Sequence, residues 1–393
     1  MEDPNKEKKI ALLVNSFWGS RVGISGGEQR VGQIFQRINF NYKIDIYTNF
    51  EGMKAIEKKF KNASFFLSPS YYDKFGLFVS YLMRSVWAKA CLTKREGYDV
   101  IYTNSDFFSD ILPAFAYKRK NPKVGWIACV FHIYPSWLKR PGNKITNLIG
   151  SLTQNWSLKK IKLAADKIIN INYQVHDELV NKYNFDKDKI IVSSCGIDLK
   201  YFKNIKTYKK DYQACFIARL VPSKGIFDLA EIWSVVVKNI PEAKLKIIGG
   251  GNDDIKTKLK ETFQGKKIET NVEILGFLPN DEAYKILKES NVFVFPSHEE
   301  GFGIVIAEAF ACGTPCVAWD LPVYNEIFPD VLLTAREGDI KDFASKVVDV
   351  MKNQKFAQSL SVSGCKYIKK YGWEKIAELE QKIISSLIKE KND

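Results

Sequence analysis

Short apolar runs alternate with longer stretches of helical spacing along the whole chain. In the first half the runs are Lys9–Val14, Lys43–Thr48, Asp99–Thr103, Val124–Val130, Lys167–Ile171 and Ile190–Ser193; in the second half they are Ala214–Ala218, Lys244–Ile248, Val272–Leu275, Val292–Phe295 and Cys316–Ala318. Most are continuously apolar rather than alternating, which is what a parallel strand covered on both faces requires. Helical patterns such as Phe227–Val237 and Asp281–Glu289 fill the gaps. Strand–helix alternation predicts doubly wound α/β structure. The pattern runs twice, and 393 residues are too many for one such sheet, so two Rossmann-like domains are expected, 1–205 and 206–372. Gly196, the polar run Lys203–Lys210 and the fresh strand from Ala214 mark the boundary near Asp198–Asp211. After Tyr371-Gly372 a last helix, 373–393, carries the stripe Ile376, Leu379, Ile383, Ile384 and Leu387.

Composition narrows the classes. With 46% hydrophobic and 26% charged residues, disorder, collagen and coiled coil are excluded as the main architecture. No apolar run reaches the ~18 residues of a membrane span; Phe75–Cys91 comes nearest and is broken by Arg84 and Lys89. Met1–Lys9 carries mixed charge and leads straight into Ile10–Val14, without the long apolar stretch of a signal peptide, so a cytoplasmic protein is expected. Seven scattered cysteines fit a reducing compartment. Cys312 and Cys316 are spaced like half a zinc site, but no second pair answers them, and His132, His176 and His298 are dispersed, so no metal site is expected.

Charge changes the picture more. The net charge is +14, and residues 1–205 contain 32 Lys/Arg against 18 Asp/Glu, so the whole excess lies there. It peaks between Ile111 and Ala165, where Lys118, Arg119, Lys120, Lys123, Lys139, Arg140, Lys144, Lys159, Lys160 and Lys162 meet no acidic residue, and Trp126, Phe131, Tyr134, Trp137 and Trp156 interleave them. Cations among headgroup-level aromatics suit an anionic membrane surface; a solvated basic face with core aromatics is the plainer alternative. No nucleic-acid module is present, and none is expected to bind.

The candidate chemistry lies mainly in the second half. In Ser297–Pro315, a strand ending at Phe295 meets Pro296, a glycine-bearing turn and a helix starting near Gly303. The amides of Gly303, Ile304 and Val305 would stand at a helix N-terminus and could hold phosphate. Glu300 and Glu308 are spaced so that one carboxylate could reach a sugar and the other the ribose of the same nucleotide. In Phe216–Asp228, Arg219 and Lys224 follow a strand end, where two cations could stabilise a departing diphosphate. Two glycine loops follow strands, Ile24–Glu28 and Gly249–Gly251. Neither is a full dinucleotide fingerprint, and the second lacks the P-loop lysine.

The segments Ile24-Ser25-Gly26-Gly27-Glu28, Ala165-Asp166-Lys167, Cys195-Gly196-Ile197-Asp198, Arg219 to Gly225, Gly249 to Gly251, Leu275-Gly276-Phe277 and Glu300 to Glu308 occur in one order over most of the chain. Together they resemble the family 4 glycosyltransferases of the GT-B fold. The resemblance implies two Rossmann-like domains facing a central cleft, with the C-terminal helix crossing back onto the N-terminal, acceptor-binding domain. It implies retaining transfer of a sugar from a nucleotide-diphosphate donor, UDP- or GDP-linked, without cofactor or metal. Arg219 and Lys224 would bind the diphosphate and Glu300 the donor sugar. Glu308 would hold the ribose, and Gly301, Phe302 and the Gly303–Val305 amides would line the phosphate or sugar. Phe277 would border the base, Gly249 the donor, and Gly26 and Gly27 the diphosphate from the first domain. His132 matches a histidine near the transferred sugar. Asn172 and Cys195 depart from the serine and asparagine common in the family. The acceptor expected is a lipid-linked or membrane-held glycan, with the protein peripheral on the inner face of the cytoplasmic membrane; a soluble acceptor, an epimerase or a phosphorylase is the alternative.

Overall fold

The computed structural model describes residues 8–17, 26–38, 42–60, 63–134, 136–138, 143–206 and 213–392. Ile24, Ser25, Lys139, Arg140 and the end of the polar run at Thr207–Lys210 lie outside them, apart from their sequence.

The first unit holds residues up to Cys195 together with Trp373–Asp393. Its strands are β1 (Lys8–Leu13), β2 (Tyr42–Thr48), β3 (Ala63–Leu67), β4 (Val100–Thr103), β5 (Gly125–Cys129), β6 (Lys167–Asn170) and β7 (Ile190–Val192). They form one parallel sheet in the order β3-β2-β1-β4-β5-β6-β7. The crossover helices are α1 (Gly26–Phe35), α2 (Phe50–Ile56), α3 (Leu77–Thr93), α4 (Phe108–Lys120), α5 (Lys144–Ala164) and α6 (Tyr173–Asn181). Right-handed crossovers put α1 and α2 on one face and α3 to α6 on the other. On the latter face Leu92, Ile111, Tyr117, Leu158, Ile161 and Leu179 pack against Leu13, Ile101, Trp126 and Ile168 of the sheet.

The second unit runs from Gly196 to Gly372. It opens with α7 (Leu199–Asn204) and continues through β8 (Gln213–Ile217), α8 (Ile226–Asn239), β9 (Lys244–Ile248), α9 (Asp253–Gly265), β10 (Val272–Gly276), α10 (Asn280–Glu289) and β11 (Val292–Phe295). It ends with α11 (Ile304–Cys312), β12 (Cys316–Trp319), α12 (Pro322–Ile327), β13 (Leu333–Ala335), α13 (Ile340–Lys352) and α14 (Gln354–Tyr367). The strand order is β10-β9-β8-β11-β12-β13, all parallel.

Three expectations shift. The boundary falls about ten residues earlier than 205, because α7 packs within the second unit: the Phe202 and Tyr284 rings are 4.9 Å apart, edge to face. The edge strand β3 and the short β13 carry no continuous buried run, so periodicity passes over them. Helix α3 begins at Leu77, after Gly76 at φ 76°, which leaves Phe75 outside it.

The last helix, α15 (Trp373–Asn392), belongs to the first unit. Its Glu380 is fully buried beside Arg30 of α1, and the two form an ion pair. Tyr102 donates its hydroxyl to Glu380 at 2.7 Å, and the Ser193 hydroxyl reaches it at 2.9 Å. Arg30 also donates to the Ser193 carbonyl at 2.6 Å. Helix, sheet and C-terminus are thus held by one ionic network, with Leu387 packed against Gly125, where a Cβ would meet it at 2.8 Å.

Candidate active site

In each unit the strand order reverses once, between β1 and β4 and between β8 and β11. The carboxyl ends of the strands at such a reversal leave a crevice where ligands bind in open α/β sheets.

At the second unit's reversal, the turns after β8 and β11 bring Lys224 to Glu300. The ammonium lies 2.5 Å from Glu300 Oε1 and donates to the Glu299 carbonyl at 3.0 Å. Ser297, fully buried, donates its hydroxyl to the same carboxylate oxygen at 3.1 Å. Gly225 makes this meeting possible. It sits at φ 69°, and a Cβ there would lie 1.7 Å from the Pro296 carbonyl oxygen, so only glycine lets the Lys224 turn touch the β11 turn. Arg219 is exposed at the end of the β8 turn, with no ion pair among the described residues. The glycine loop Gly249–Gly251 lies beneath it: Leu220 donates its N–H to the Gly250 carbonyl at 2.8 Å, and a Cβ on Gly249 would strike the Ala218 carbonyl. Gly249 therefore supports the Arg219 turn by close backbone approach.

Gly303, at φ 85°, caps α11. The N–H groups of Ile304 and Val305 open that helix and have no intrahelical acceptor. Phe302 is buried, edge to face with Phe328 and Tyr371, so its ring anchors the loop and only its backbone, with that of Gly301, is available to a ligand. Glu308 is buried one turn further along and accepts the Tyr284 hydroxyl at 2.7 Å. Burial, then the Glu308 charge, pushes the Tyr284 hydroxyl pKa well up, so it stays a donor. Tyr201 lies edge to face with Tyr284, at 5.9 Å. Phe277 follows β10 and is exposed.

His298 was passed over by sequence reasoning except as a metal ligand. Its Nε2 is 3.0 Å from Asp228 of α8 and its Nδ1 is 2.7 Å from Glu337. Asp228 raises the imidazole pKa; burial lowers it and Glu337 raises it further, to about 9 in all. The charged ring thus ties the Glu300 loop to two other segments, and the backbone N–H of His298 donates to the Ser223 carbonyl at 2.9 Å.

At the first unit's reversal stand groups that the sequence did not single out. Asp110, buried, accepts from the Asn15 N–H at 2.7 Å and the Ser105 hydroxyl at 2.5 Å. Burial raises its pKa to about 7 and that of neighbouring Asp106 to about 6. Gln154 of α5 bridges Asp106 (2.7 Å) and the carbonyl of His132 (2.8 Å). His132, half-buried, follows β5, its ring 5.8 Å from Tyr134. Gly26 and Gly27 open α1. The signal for this cluster is a pair of acids just past the apolar run of β4.

Residues 198–366 match the family model described as glycosyl transferases group 1. Over 382 residues, 96% of this chain and 99% of the relative, the chain is 25% identical to an uncharacterized glycosyltransferase of Methanocaldococcus jannaschii. It is also 25% identical over 250 residues, 60% of this chain and 61% of that protein, to the Escherichia coli UDP-Gal:alpha-D-GlcNAc-diphosphoundecaprenol alpha-1,3-galactosyltransferase. Among solved structures, Anabaena HepE in complex with UDP and glucose superposes with a TM-score of 0.73 at 15% identity, over 96% of this chain and all of that one. A glycosyltransferase from Rickettsia africae does so with 0.72 at 16%, over 98% and 99%. The fold is the two-domain GT-B fold, and the chain is a glycosyltransferase.

Proposed function

We propose that this protein is a retaining transferase that moves a sugar from a UDP- or GDP-linked donor, without a metal, to a lipid-linked or membrane-held glycan. The observation that carries the reading is the Lys224–Glu300 contact beside the open amides of α11. A nucleotide diphosphate needs cations and N–H donors at its phosphates and acceptors at its hydroxyls. Arg219, Lys224 and the Ile304 and Val305 amides supply the first; Glu300 and Glu308 supply the second.

As the bond from sugar to phosphate breaks, negative charge grows on the leaving oxygen. Arg219 and Lys224 then act most strongly in the transition state, which is where an interaction accelerates chemistry. Glu300 accepts from the sugar hydroxyls and keeps Lys224 in place before the donor arrives. Glu308, oriented by Tyr284, accepts from the ribose. The acceptor hydroxyl attacks from the side of the leaving phosphate, whose oxygen takes its proton; the protein positions the partners and stabilises charge. His132, Asp106 and Gln154 belong to the acceptor side. The similarity to a galactosyltransferase whose name includes a diphosphoundecaprenol acceptor supports a lipid-linked acceptor.

The test is incubation with UDP-, GDP- and ADP-sugars, reading nucleotide diphosphate release, beside a thermal-shift screen of the free nucleotides. A ligand at 100 times its Kd stabilises by ~2.7 kcal/mol, which such a screen detects. Release from none of the donors, with no nucleotide shifting the melt, would end the reading.

A further inference from the structure

Helix α3 buries polar side chains along with Ala88 and Leu92 and leaves part of its apolar stripe outside. Towards the sheet it buries Ser80, Tyr81, Arg84, Ser85, Ala88 and Leu92, while Val79, Leu82 and Val86 are each about half exposed, as is Phe75 just before it. The inward polar groups have partners. Arg84 donates to the Phe17 carbonyl at 2.5 Å and pairs with Asp73; Tyr81 donates to the Ser16 carbonyl at 2.5 Å, and Ser80 to the Tyr72 carbonyl at 2.7 Å. These bonds fix the helix's rotation, so that Trp87 packs against the core while Val79, Leu82 and Val86 stay outside. Helix α5 carries a second stripe. Ile145, Leu152, Trp156 and Leu163 follow at intervals of seven, four and seven residues, which places them along one line of the helix, and Ile145 and Leu163 are 70% and 72% exposed.

Helix α4 packs between the two, on the same face of the sheet. Its Phe115 ring lies 5.0 Å from the Lys160 ammonium, which is also 5.7 Å from the Trp156 ring, and Arg119 approaches Phe115 at 5.9 Å. Cations are thus set among the apolar groups rather than apart from them. The three helices contain nine Lys or Arg, and one acid, Asp110, which is buried. Lys118 pairs with Asp166, which also holds Lys391; Lys89, Arg119, Lys120 and Lys159 are exposed. Further acids stand at the margin: Asp73 just before α3, paired with Arg84, Glu96 beyond α3, and Asp177 and Glu178 on α6.

We propose that the outer face of α3, α4 and α5 is the surface by which this protein docks on an anionic membrane. Apolar side chains enter the headgroup boundary while the interleaved cations meet anionic lipid, a combination that gives surface binding without insertion. No helix among the described residues is long and apolar enough to cross a bilayer. A second copy is the poorer occupant, since a two-fold contact would press like charges together. The proposal deepens the membrane-held acceptor reading and rests on it only for its purpose.

The experiment is co-sedimentation of the full chain with vesicles of phosphatidylcholine alone or mixed with phosphatidylglycerol, at low and high salt, with light scattering alongside. One variant combines Leu82→Ser, Val86→Ser, Leu152→Ser and Leu163→Ser; another combines Arg119→Ser, Lys159→Ser and Lys160→Ser. All seven positions face outward or partly so, and thermal melts check that both variants fold. Wild type should bind only the anionic vesicles and lose binding with salt. The charge variant should bind roughly a hundredfold more weakly, at about fivefold per cation, and the apolar variant at least tenfold more weakly. Wild type remaining in solution with anionic vesicles at low salt, or binding by both variants equal to that of wild type, would overturn the surface, as would a dimer that the apolar variant dissolves. Nucleotide release by a protein that ignores vesicles defeats the docking face alone; vesicle binding with no release from any nucleotide sugar defeats the transferase reading alone.

Discussion

Helices α8 and α3 both cover a parallel sheet, and they do so in opposite ways. In the second unit, α8 buries Ile226, Leu229, Ala230, Ile232, Trp233 and Val236, with Asp228 at its first turn bound to His298. In the first unit, α3 buries an arginine, two serines and a tyrosine and turns Val79, Leu82 and Val86 to solvent. The difference extends beyond the pair. Among the described residues, the large exposed apolar side chains of the second unit are Phe277 and Val362, whereas α3 and α5 alone expose seven. Buried charge follows the same division: Arg30–Glu380 and Arg84–Asp73 tie together the interior of the first unit, while the chief ion pair of the second, Lys224–Glu300, stands in its candidate site. One unit has placed its charge where a ligand can use it. The other has placed charge in its framework and left apolar surface outside.

The largest expected effect tests that framework. Glu380→Ala leaves Arg30 buried and uncompensated, which should destabilise the first unit by about 3–5 kcal/mol. Chemical denaturation should show an early transition, and a loss below about 1 kcal/mol would mean that α15 is held by its apolar stripe instead. A cut of the same kind in the second unit should do the reverse. Arg219→Ala, at an exposed side chain, should leave the melt near that of wild type, and Arg219→Ala and Lys224→Ala should each raise the barrier to transfer by about 2.7–4 kcal/mol, the cost of removing one preorganised donor. Turnover under saturating donor reads this directly; near-normal turnover in either variant removes that residue from the diphosphate site.

These two contrasts differ in how far they could be read from sequence. The strands were legible because most are continuous apolar runs, and Arg219, Lys224 and Glu300 could be placed in turns after strand ends, but the ion pair between Lys224 and Glu300 was not read from the sequence. Gly225 could be read as a turn, but its contact with Pro296 depends on two loops finding each other. The stripe on α3 is a period in the sequence, with Val79, Leu82, Met83, Val86 and Trp87 at helical spacing. A period says that a helix has two faces and not which one meets the sheet; that was decided by carbonyls at Ser16 and Phe17, which receive Tyr81 and Arg84. Arg30 and Glu380 lie at opposite ends of the chain, and no local pattern links them. The partners of His298 also come from other segments, 39 residues on at Glu337 and, before it, at Asp228 on α8, so no local pattern marks it.

A smaller effect separates the two carboxylates of the second unit. Glu308→Gln should weaken binding of free nucleotide diphosphate by about 1.5–3 kcal/mol, the range for a hydrogen bond to a charged group. Tyr284→Phe should follow it in the same direction, because the 2.7 Å bond orients Glu308. Glu300→Gln should spare the free nucleotide and lower sugar transfer. Calorimetry with nucleotide diphosphate alone checks the set, and equal losses for Glu300→Gln and Glu308→Gln would show that the two roles are shared or exchanged.

The smallest expected effect concerns His298 and runs with pH. Its pKa is raised from 6.5 to about 9, first by Asp228 and then, against burial, by Glu337. A group whose pKa is raised on folding stabilises fully below its unfolded value, here about 6.5, and loses that contribution as pH climbs through the folded value. The imidazolium should therefore hold the Glu300 loop at neutral pH and release it between about pH 7 and 9. The ring is 32% exposed and its partners 30% and 48%, so solvent screening limits the gain to about 1 kcal/mol or less. Wild type should lose a little stability and transfer activity over that range, and His298→Gln, which cannot carry the charge, should show a flatter profile and start lower at pH 7. The measurement is a pair of pH series on the two proteins, melts beside turnover, with Arg219→Ala, at an exposed side chain, as a control for the melts. Parallel profiles for wild type and His298→Gln would mean that the clamp does not titrate, and that the second unit's site is held without help from a framework charge of the kind the first unit depends on.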